Sequence, residues 1–422
     1  MRPAGTIRVG PAHAGPRREA RPALEVGVTG ADGELGLDPI VLEGLPDGSA
    51  PLRLGPRVTL YVCGITPYDS AHLGHAFTYV MFDTLVRFLR SRGHQVDYCQ
   101  NVTDVDDDVL RRAAGDGEDY LALGRRETAE YLEVMDALNV ARPTWFPRAT
   151  EEIGSMVELA ARLVDGGHAY VVDGTVFFDV ASYPRFGDLS GLDAEEQERL
   201  LAERGGDPGD PRKRHPLDFV VWQRSLPSEP SWPSPWGAGR PGWHLECSAM
   251  SRRYLGTTID LHGGGADLLY PHHESERAQS ESASQAPLAR RWLYTGMVRH
   301  EGEKMSKSLG NLVFPRELFR EHEPAAVRLV LLAHHWRSGW ELDPDELKEA
   351  AERLDAWRRA AAPRGAAAGR TRALPEPVEA ALASDLDTPA ALRAVDELAR
   401  EGDGPSVLAA AEVLGIRLAL SG

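Results

Sequence analysis

Cysteine is scarce in this sequence, which has only Cys63, Cys99 and Cys247 among 422 residues. Three cysteines are too few for a disulfide framework, which excludes a small disulfide-stabilised secreted fold and indicates a reducing compartment. No run approaches the roughly 18 apolar residues of a membrane span. The N-terminal stretch contains several arginines but lacks the apolar core of a signal peptide. These absences predict a cytoplasmic protein with no membrane partner.

Basic side chains are also in the minority. The sequence has 47 lysines and arginines against 64 aspartates and glutamates, for a formal net charge of −17. That excess of negative charge disfavours nonspecific binding to nucleic acid or to an anionic membrane, although a local basic patch can coexist with it. The length allows two or three domains with well-formed cores.

The order of apolar segments indicates an α/β fold. A strand ending near Val62, a helix over Thr78 to Arg92 and a strand over Val96 to Cys99 predict a parallel sheet with a right-handed crossover. The region from Leu110 to about Trp145 reads as helical, and Ala169–Val172 with Val176–Phe178 reads as a hairpin that turns at Asp173 and Gly174. Phe186 to Arg214 reads as polar and irregular, and residues 361–370 read as a linker rich in alanine, glycine and arginine. The predicted units are a disordered or weakly ordered tail (1–50), a sheet domain (51–145 and 238–310), an insertion (146–237) and a helical C-terminal part (311–422).

The turn after the first strand holds the first functional candidates. The chain passes through glycine and proline into a helix whose first turn contains His72 and His75. Such a turn directs backbone N–H groups and the positive helix end towards an anion, and Gly74 leaves room for a ring or a phosphate. The same residue types are also typical of packing and surface positions, so the turn by itself only indicates a nucleotide site.

An acidic stretch follows the second predicted strand. Four of the five residues from Asp104 to Asp108 are acidic and could bind a cation. Helix N-capping and support of neighbouring loops is the simpler expectation for most of them. Thr103 is the better candidate for reaching a ligand, because it lies where doubly wound folds place ligand groups.

Two further groups suggest metal binding and phosphate handling. His272 and Glu276 are four residues apart at a predicted helix start and therefore share one face, and with Cys63 and Cys247 they form an acceptable zinc ligand set. The two cysteines could equally be small buried apolar residues, since no CxxC pair exists. Lys304 and Lys307 lie in a polar loop that could close over a bound nucleotide or could simply be solvated.

Two of these motifs resemble the signatures of class I aminoacyl-tRNA synthetases. They are His72-Leu73-Gly74-His75 and Lys304-Met305-Ser306-Lys307-Ser308, in the expected order. The flanking stretches YVCGITPYD, NVTDVDD, GWHLEC, DLHGGGADLLYPHHE and GEKMSKSLGN are similar to the cysteine branch, over about residues 58–345. That branch includes cysteinyl-tRNA synthetase and the mycothiol-pathway ligase that joins cysteine to the amine of glucosaminyl-inositol. The resemblance implies a Rossmann-like catalytic domain with an inserted connective region and a C-terminal helical bundle.

The resemblance also implies roles for individual residues. One zinc ion per chain would bind the thiolate of substrate cysteine through Cys63, Cys247 and His272, with Glu276 as a fourth ligand. ATP, with Mg²⁺, would be served by His72, Gly74, His75, Gly265, Asp267, Lys304 and Lys307. The residues expected around the cysteine are Thr66, Thr103, Trp243 and Asp267.

The resemblance leaves the acceptor of the activated cysteine open. The part after Ser308 is shorter than the anticodon-recognition region of the synthetases, and the stretches ERGGDP and EPSWPSP resemble the ligase insertion. Glu276, in contrast, fits the synthetase pattern. The leading hypothesis is an ATP-dependent, AMP-forming ligase acting as a monomer on L-cysteine, ATP and glucosaminyl-inositol, with tRNA less favoured. The alternatives are a cysteinyl-tRNA synthetase, a relative that transfers cysteine to another amine, and a nonenzymatic zinc-binding relative.

Overall fold

The computed structural model describes residues 41–42, 52–69, 71–305, 310–362 and 373–419. Within them the chain forms eleven strands and thirteen α-helices. In the first half these are β1 (Arg57–Ile65), α1 (Leu73–Ser91), β2 (Gln95–Val102), α2 (Asp107–Asp116), α3 (Tyr120–Ala137), α4 (Ile153–Asp165), β3 (Ala169–Val172), β4 (Thr175–Phe178), α5 (Ala194–Glu203), β5 (Phe219–Arg224) and β6 (Gly239–Pro241). In the second half they are α6 (Trp243–Leu255), β7 (Ile259–Gly265), α7 (Glu274–Ser284), β8 (Ala289–Thr295), β9 (Val298–His300), β10 (Glu303–Lys304), α8 (Pro315–Leu318), α9 (Pro324–Leu332), β11 (Trp340–Glu341), α10 (Pro344–Ala361), α11 (Glu376–Ala383), α12 (Thr388–Glu401) and α13 (Gly404–Val413).

The central sheet has four parallel strands in the order β2-β1-β7-β8. This confirms the predicted strand, helix, strand unit at its start. The order reverses between β1 and β7, because the chain moves outward to β2 on one side and to β8 on the other. Ligands of open α/β sheets bind beyond the carboxyl ends of the strands at such a reversal.

Side chains of β1 alternate between two hydrophobic cores, as expected for a buried strand. Leu60 and Val62 pack in the core that contains α1 and the C-terminal helices. Tyr61 and Cys63 face the other core, which includes Leu245 and Met250 of α6. The two-residue period therefore directs Cys63 towards α6, the helix that carries Cys247.

The region between β2 and α6 forms its own antiparallel sheet, in the order β3-β4-β5-β6. The predicted hairpin turn lies between β3 and β4 at Asp173 and Gly174, both with positive φ. The prediction that residues 186–214 are irregular is wrong, because α5 lies within them. Asp193 caps α5 by accepting a hydrogen bond from the Glu196 amide. The buried side chains of α5 are Leu201 and Gln197, so the apolar face of this helix is short. So few apolar residues leave no clear helical period.

One other helical prediction changes in detail. The segment after Leu110 is two helices rather than one, since Gly117 ends α2 in the left-handed conformation with φ 67°. At the predicted helix start around Pro271, the backbone kinks at Tyr270, immediately before Pro271, and the regular helix α7 begins at Glu274.

The C-terminal helices α9 to α13 pack on one another, as the predicted helical part requires, and α9 and α13 contact α1. Two features were not predicted. Strand β11 pairs in parallel with β9, and Val41 forms a bridge to Ser384 while Leu42 is buried.

The rest of the predicted tail, 1–40 and 43–50, lies outside the described residues, as does most of the 361–370 linker. The proposed domain boundaries stay a prediction. In the part of the chain described, no helix is both long and apolar enough to cross a membrane.

Arg328 of α9 joins the helical part to the sheet domain. Its side chain and that of Asp83 on α1 are each 1% exposed, with Nη2 2.6 Å from the Asp83 carboxylate. The guanidinium also donates to the backbone oxygens of Leu138 and Leu414, each at 2.8 Å. One buried cation therefore holds α1 and the segments that end α3 and α13 together.

We expect Arg328→Met to lower the free energy of unfolding by about 3–5 kcal/mol, because it leaves the Asp83 carboxylate buried without its main partner. Chemical denaturation followed by circular dichroism measures the loss. The control is Arg162→Met, which removes an exposed pair with Glu158 within α4 and should cost about 0.3–0.5 kcal/mol. Equal losses in the two variants would contradict the role of Arg328.

Candidate active site and metal centre

A cavity of about 270 Å³ lies beyond the carboxyl ends of β1 and β7. This is the position that the sheet order predicts for a ligand. Most of the residues singled out from the sequence line it. They are Cys63, Thr66, His72, Gly74, His75, Thr103, Trp243, Cys247, Gly265, Asp267 and His272.

Four metal-ligand candidates from distant parts of the chain meet beside this cavity. The ligand atoms of Cys63, Cys247, His272 and Glu276 all lie within 4.8 Å of one another, and all four residues are buried. Cys63 comes from β1 and Cys247 from α6, whereas His272 and Glu276 are separated by one helical turn. Two sulfurs, an imidazole and a carboxylate are donors that a soft or borderline metal ion accepts.

The Glu276 carboxylate is the electrostatic centre of this cluster. It is 0% exposed, and its oxygens lie 3.0 Å from His272 Nε2 and 3.1 Å from His262 Nε2. Burial by itself would raise the pKa of Glu276, but His262 and His272 outweigh it and hold the pKa well below the usual range. Burial would likewise lower the pKa of His272, yet Glu276 and Cys247 raise it to about 10.

The two cysteines of the cluster differ in acidity. Burial and hydrogen bonding with Cys247 and Glu276 raise the pKa of Cys63 well above its usual range. Burial also disfavours the Cys247 thiolate, but hydrogen bonding from Cys63 and the nearby charge of His272 lower the pKa of Cys247 to about 6. Cys247 is therefore the more acidic thiol of the pair.

The side chains of His244 and Trp243 hold the His272 ring in place. Its Nδ1 lies 2.9 Å from Nδ1 of His244, and its ring stacks on Trp243 with centroids 4.1 Å apart. These contacts leave Nε2 directed at Glu276 and the cysteines. Supporting contacts of this kind fix the ring orientation of metal-binding histidines.

A second, overlapping donor set was missed from the sequence. Cys63 and Glu276 also lie within 4.8 Å of His262 and His273. The sequence signal was present in the His-Gly-Gly-Gly and Pro-His-His stretches, but only the fold brings His262 next to α7. Cys247 and His272 line the cavity, whereas His262 and His273 do not. The first set is therefore the one that borders space for a substrate.

His72 and His75 line the same cavity. Their rings stack with centroids 3.9 Å apart, and His72 is the N-cap of α1, with its Nδ1 accepting from the Gly74 amide at 3.1 Å. A Cβ on Gly74 would lie 2.9 Å from the His72 ring, so this contact requires glycine. The Leu73 amide donates to the Val313 oxygen at 2.8 Å. Two of the first amides of α1 are thus occupied, which corrects the expectation that they point at an anion.

The remaining candidates surround the space between the donor cluster and the histidine pair. Thr103 is 2% exposed and accepts a hydrogen bond from Asn101 Nδ2 at 3.0 Å. The Asp267 carboxylate lies close to the backbone of Gly265, because a Cβ on Gly265 would come within 2.5 Å of it. Asn101, which was not singled out from the sequence, also accepts from the Gly64 amide at 2.8 Å and lies 3.6 Å from Cys247 Sγ.

The acidic stretch after β2 behaves as expected from capping. Asp106 is the N-cap of α2 and accepts from the Asp108 amide. Asp104 accepts from both the amide and the hydroxyl of Thr150, at 2.9 and 2.8 Å. The predicted lysine pair is less completely described, since the backbone of Lys304 lies in β10 and Lys307 lies outside the described residues.

Comparison with known proteins identifies relatives over most of the chain. The family model for the tRNA synthetases class I (C) catalytic domain matches residues 52–352. An L-cysteine:1D-myo-inositol 2-amino-2-deoxy-alpha-D-glucopyranoside ligase from Parafrankia sp. is 50% identical over 364 residues, 86% of this chain and 81% of that protein. A ligase of the same name from Nocardiopsis dassonvillei is 48% identical over 83% of this chain and 89% of its own.

Solved structures show the same fold at lower identity. Mycobacterium tuberculosis methionyl-tRNA synthetase, in complex with methionyl-adenylate, superposes with a TM-score of 0.59 and 18% identity, over 85% of this chain and 89% of that chain. This likeness supports the Rossmann-like α/β architecture predicted from the sequence.

The protein without metal should show the ultraviolet absorbance of one thiolate at pH 7, because the pKa of Cys247 is lowered to about 6. The absorbance should disappear as the pH falls through about 6, and also on unfolding at pH 7, where an ordinary cysteine with a pKa of about 8.5 is mostly protonated. Cys247→Ser should abolish it. Cys99→Ser is the control, since burial raises the pKa of Cys99 and keeps it a thiol. Retention of the absorbance in Cys247→Ser would contradict the assignment.

Proposed function

This chain belongs to the class I (C) family of tRNA synthetase catalytic domains and, within it, to the L-cysteine:1D-myo-inositol 2-amino-2-deoxy-alpha-D-glucopyranoside ligases, and on this premise we propose that it activates L-cysteine with ATP and transfers it to the amine of glucosaminyl-inositol. The reaction forms AMP and pyrophosphate and serves mycothiol biosynthesis. This is the leading hypothesis from the sequence.

One observation carries the proposed chemistry. The sulfur and nitrogen donors Cys63, Cys247 and His272 line the same 270 Å³ cavity as the stacked pair His72 and His75. A ligand in that space can contact a thiol-binding group at one wall and a phosphate-binding group at the other. Cysteine selection and carboxylate activation then take place within one small site.

The donor cluster fits a zinc ion. Its ligand atoms are close enough to share one ion, and two sulfurs, one nitrogen and one oxygen are all donors that Zn²⁺ accepts. Cys63, Cys247 and His272 border the cavity whereas Glu276 does not, and a zinc ion held by those three would keep its fourth tetrahedral position open for substrate, with Glu276 as the further ligand in the absence of substrate. Zinc bound there would supply a soft Lewis acid that binds a thiolate in preference to the hydroxyl of serine. Shape complementarity without such a group discriminates by only ~1–3 kcal/mol.

In the first step an oxygen of the cysteine carboxylate attacks the α-phosphorus of ATP. The bond to the bridging oxygen of the β-phosphate breaks, and pyrophosphate, with Mg²⁺, leaves. Negative charge grows on the phosphate oxygens, where His72 and His75 would donate hydrogen bonds. Lys304 and Lys307 would add positive charge from the chain that follows β9. Asp267, with Thr66, Thr103 and Trp243, would hold the cysteine while its carboxylate reacts.

In the second step the acceptor amine attacks the carbonyl carbon of cysteinyl-adenylate. The new C–N bond replaces the bond to the phosphate oxygen, AMP leaves with that electron pair, and the amine releases a proton to solvent. The names of the relatives at 46–50% identity support an amino sugar as the acceptor. A tRNA acceptor is the second candidate, favoured by the position of Glu276 within the donor cluster, because the sequence pattern around Glu276 is that of the synthetases.

We expect the zinc-loaded protein to catalyse cysteine-dependent ATP–pyrophosphate exchange and to transfer cysteine to glucosaminyl-inositol. Product mass and AMP release, measured with the amino sugar and with tRNA in separate reactions, distinguish the two acceptors. Transfer to tRNA alone would overturn the proposed acceptor. Absence of exchange would overturn both catalytic hypotheses and leave a binding protein.

We expect Cys247→Ser to lose zinc and cysteine activation together, because a hydroxyl replaces one of two sulfur ligands. Changes in groups that only support a ligand reduce metal affinity or activity about 10–100-fold, so the loss should reach at least about 100-fold. Metal analysis after gel filtration and the exchange assay measure the two quantities. Cys99→Ser is the matched control, since Cys99 is buried but lies outside the donor cluster. Unchanged zinc content in Cys247→Ser would remove Cys247 from the ligand set.

A further inference from the structure

A second and larger cavity, of about 870 Å³, adjoins the site described above. Thr66, Tyr68, Trp243, Asp267 and Leu268 line both cavities and form the boundary between them. The far wall of the larger cavity is made by residues of β4, β5 and β6 and by the segment between α5 and β5.

We propose that the larger cavity binds the acceptor amino sugar, with the amine at the boundary and the second ring against Thr175, Asp210 and Arg212. This inference rests on the proposed function and adds the location of the acceptor and the residues that select it. The volume lies within the range of about 300–1,000 Å³ that small-molecule sites occupy.

The charge of the lining fits this class of ligand. Seven acidic and five basic residues line the larger cavity. A slight excess of carboxylates suits a neutral polyhydroxyl molecule that carries one ammonium group, because each hydroxyl can both donate and accept hydrogen bonds. The same lining opposes a polyanion, since nucleic acid binding depends on lysine and arginine that neutralise phosphates. The lining therefore favours an amino sugar over the end of a tRNA.

The orientation of the acceptor follows from the reaction. The amine must reach the carbonyl carbon of a cysteine held in the smaller cavity beside Cys63 and Cys247. The residues that line both cavities mark where the two spaces meet, so the amine-bearing ring is placed there, next to Trp243 and Asp267. The remainder of the molecule then extends towards the far wall.

The far wall presents fixed hydrogen-bonding groups. The Arg212 guanidinium donates to Asp210 from Nε at 3.0 Å and from Nη2 at 2.6 Å, and to the Thr175 hydroxyl from Nη1 at 3.3 Å. It also stacks over the Phe177 ring, 5.3 Å from the centroid. The guanidinium held in this way offers donors, and the Asp210 carboxylate offers acceptors, in a set geometry, which is what selective binding of a hydroxylated ring requires.

A buried arginine on β6 supports the same assignment. The side chain of Arg240 is 3% exposed, its Nη2 lies 2.5 Å from the Asp107 carboxylate and its Nε lies 3.5 Å from Glu229. These two carboxylates hold the guanidinium in place at the lining of the cavity. A charge held in this way can orient a hydroxyl of the acceptor without moving.

The test compares two acceptors in two variants. The acceptors are glucosaminyl-inositol and glucosamine, which lacks the second ring, and the variants are Arg212→Gln and Asp210→Asn. We expect each variant to raise KM for glucosaminyl-inositol about 10-fold, or roughly 1.4 kcal/mol. KM for glucosamine and the rate of ATP–pyrophosphate exchange should change less than about twofold. Arg199→Gln is the matched control, because Arg199 on α5 is 54% exposed and pairs with Glu203 outside the cavity lining.

The outcomes separate this inference from the proposed function. Transfer by the unaltered protein to glucosaminyl-inositol reports on the proposed function, and if it is absent both conclusions fall. If that transfer occurs but neither variant changes KM for glucosaminyl-inositol, the location of the second ring is wrong while the function stands. The same conclusion follows if the variants raise KM equally for glucosaminyl-inositol and glucosamine. Unchanged exchange activity shows that each variant is folded, and Asp210→Asn tests the same wall without removing an arginine.

Discussion

The burial of one carboxylate constrains the whole site. Glu276 is fully enclosed, and an ionised carboxylate in that position is tolerated only if charged or hydrogen-bonded partners surround it. Its partners come from β7 through His262 and from the turn before α7 through His272, and Cys63 of β1 lies 3.3 Å away. Two neighbouring strands and the segment that follows them must therefore keep a fixed arrangement. The same arrangement brings the cysteines and an imidazole within reach of one metal ion.

Close backbone approach makes this arrangement sterically feasible. A Cβ on Gly64 would lie 1.6 Å from the backbone oxygen of Asn101, and one on Gly263 would lie 2.2 Å from the Phe82 ring. Glycine at these two positions lets β1 meet the end of β2 and lets α1 pack tightly on β7. The ends of the strands then converge where the strand order reverses. Arg328 binds Asp83 near the middle of α1, so the helix that carries His72 and His75 is fixed at its first turn and again at its middle.

The sequence predicted those features that depend on short stretches of chain. The first strand, helix and strand, the hairpin at Asp173 and Gly174, and the shared face of His272 and Glu276 all follow from local periodicity and turn chemistry. The resemblance to a known family then related Cys63 to Cys247. The sequence could not show that His244 orients His272, that His262 and His273 offer a second donor set, or that the Gly74 amide is occupied by His72. These features depend on side-chain contacts that leave no periodic signal in the sequence. Helix α5 was missed because its apolar face is so short.

Under the proposed function, cysteine selection and acceptor selection would be chemically independent. Cysteine would be recognised by its sulfur, through groups fixed by the central sheet, α6 and the turn before α7. The acceptor would instead meet paired charges presented by the inserted region. Among the described residues five line both spaces, so changes in the insertion could alter the acceptor without moving the donor cluster or the histidine pair. A catalytic domain of one fold could then pass the same activated amino acid to a polynucleotide or to an amino sugar, and the charge of the inserted region would decide which of them enters.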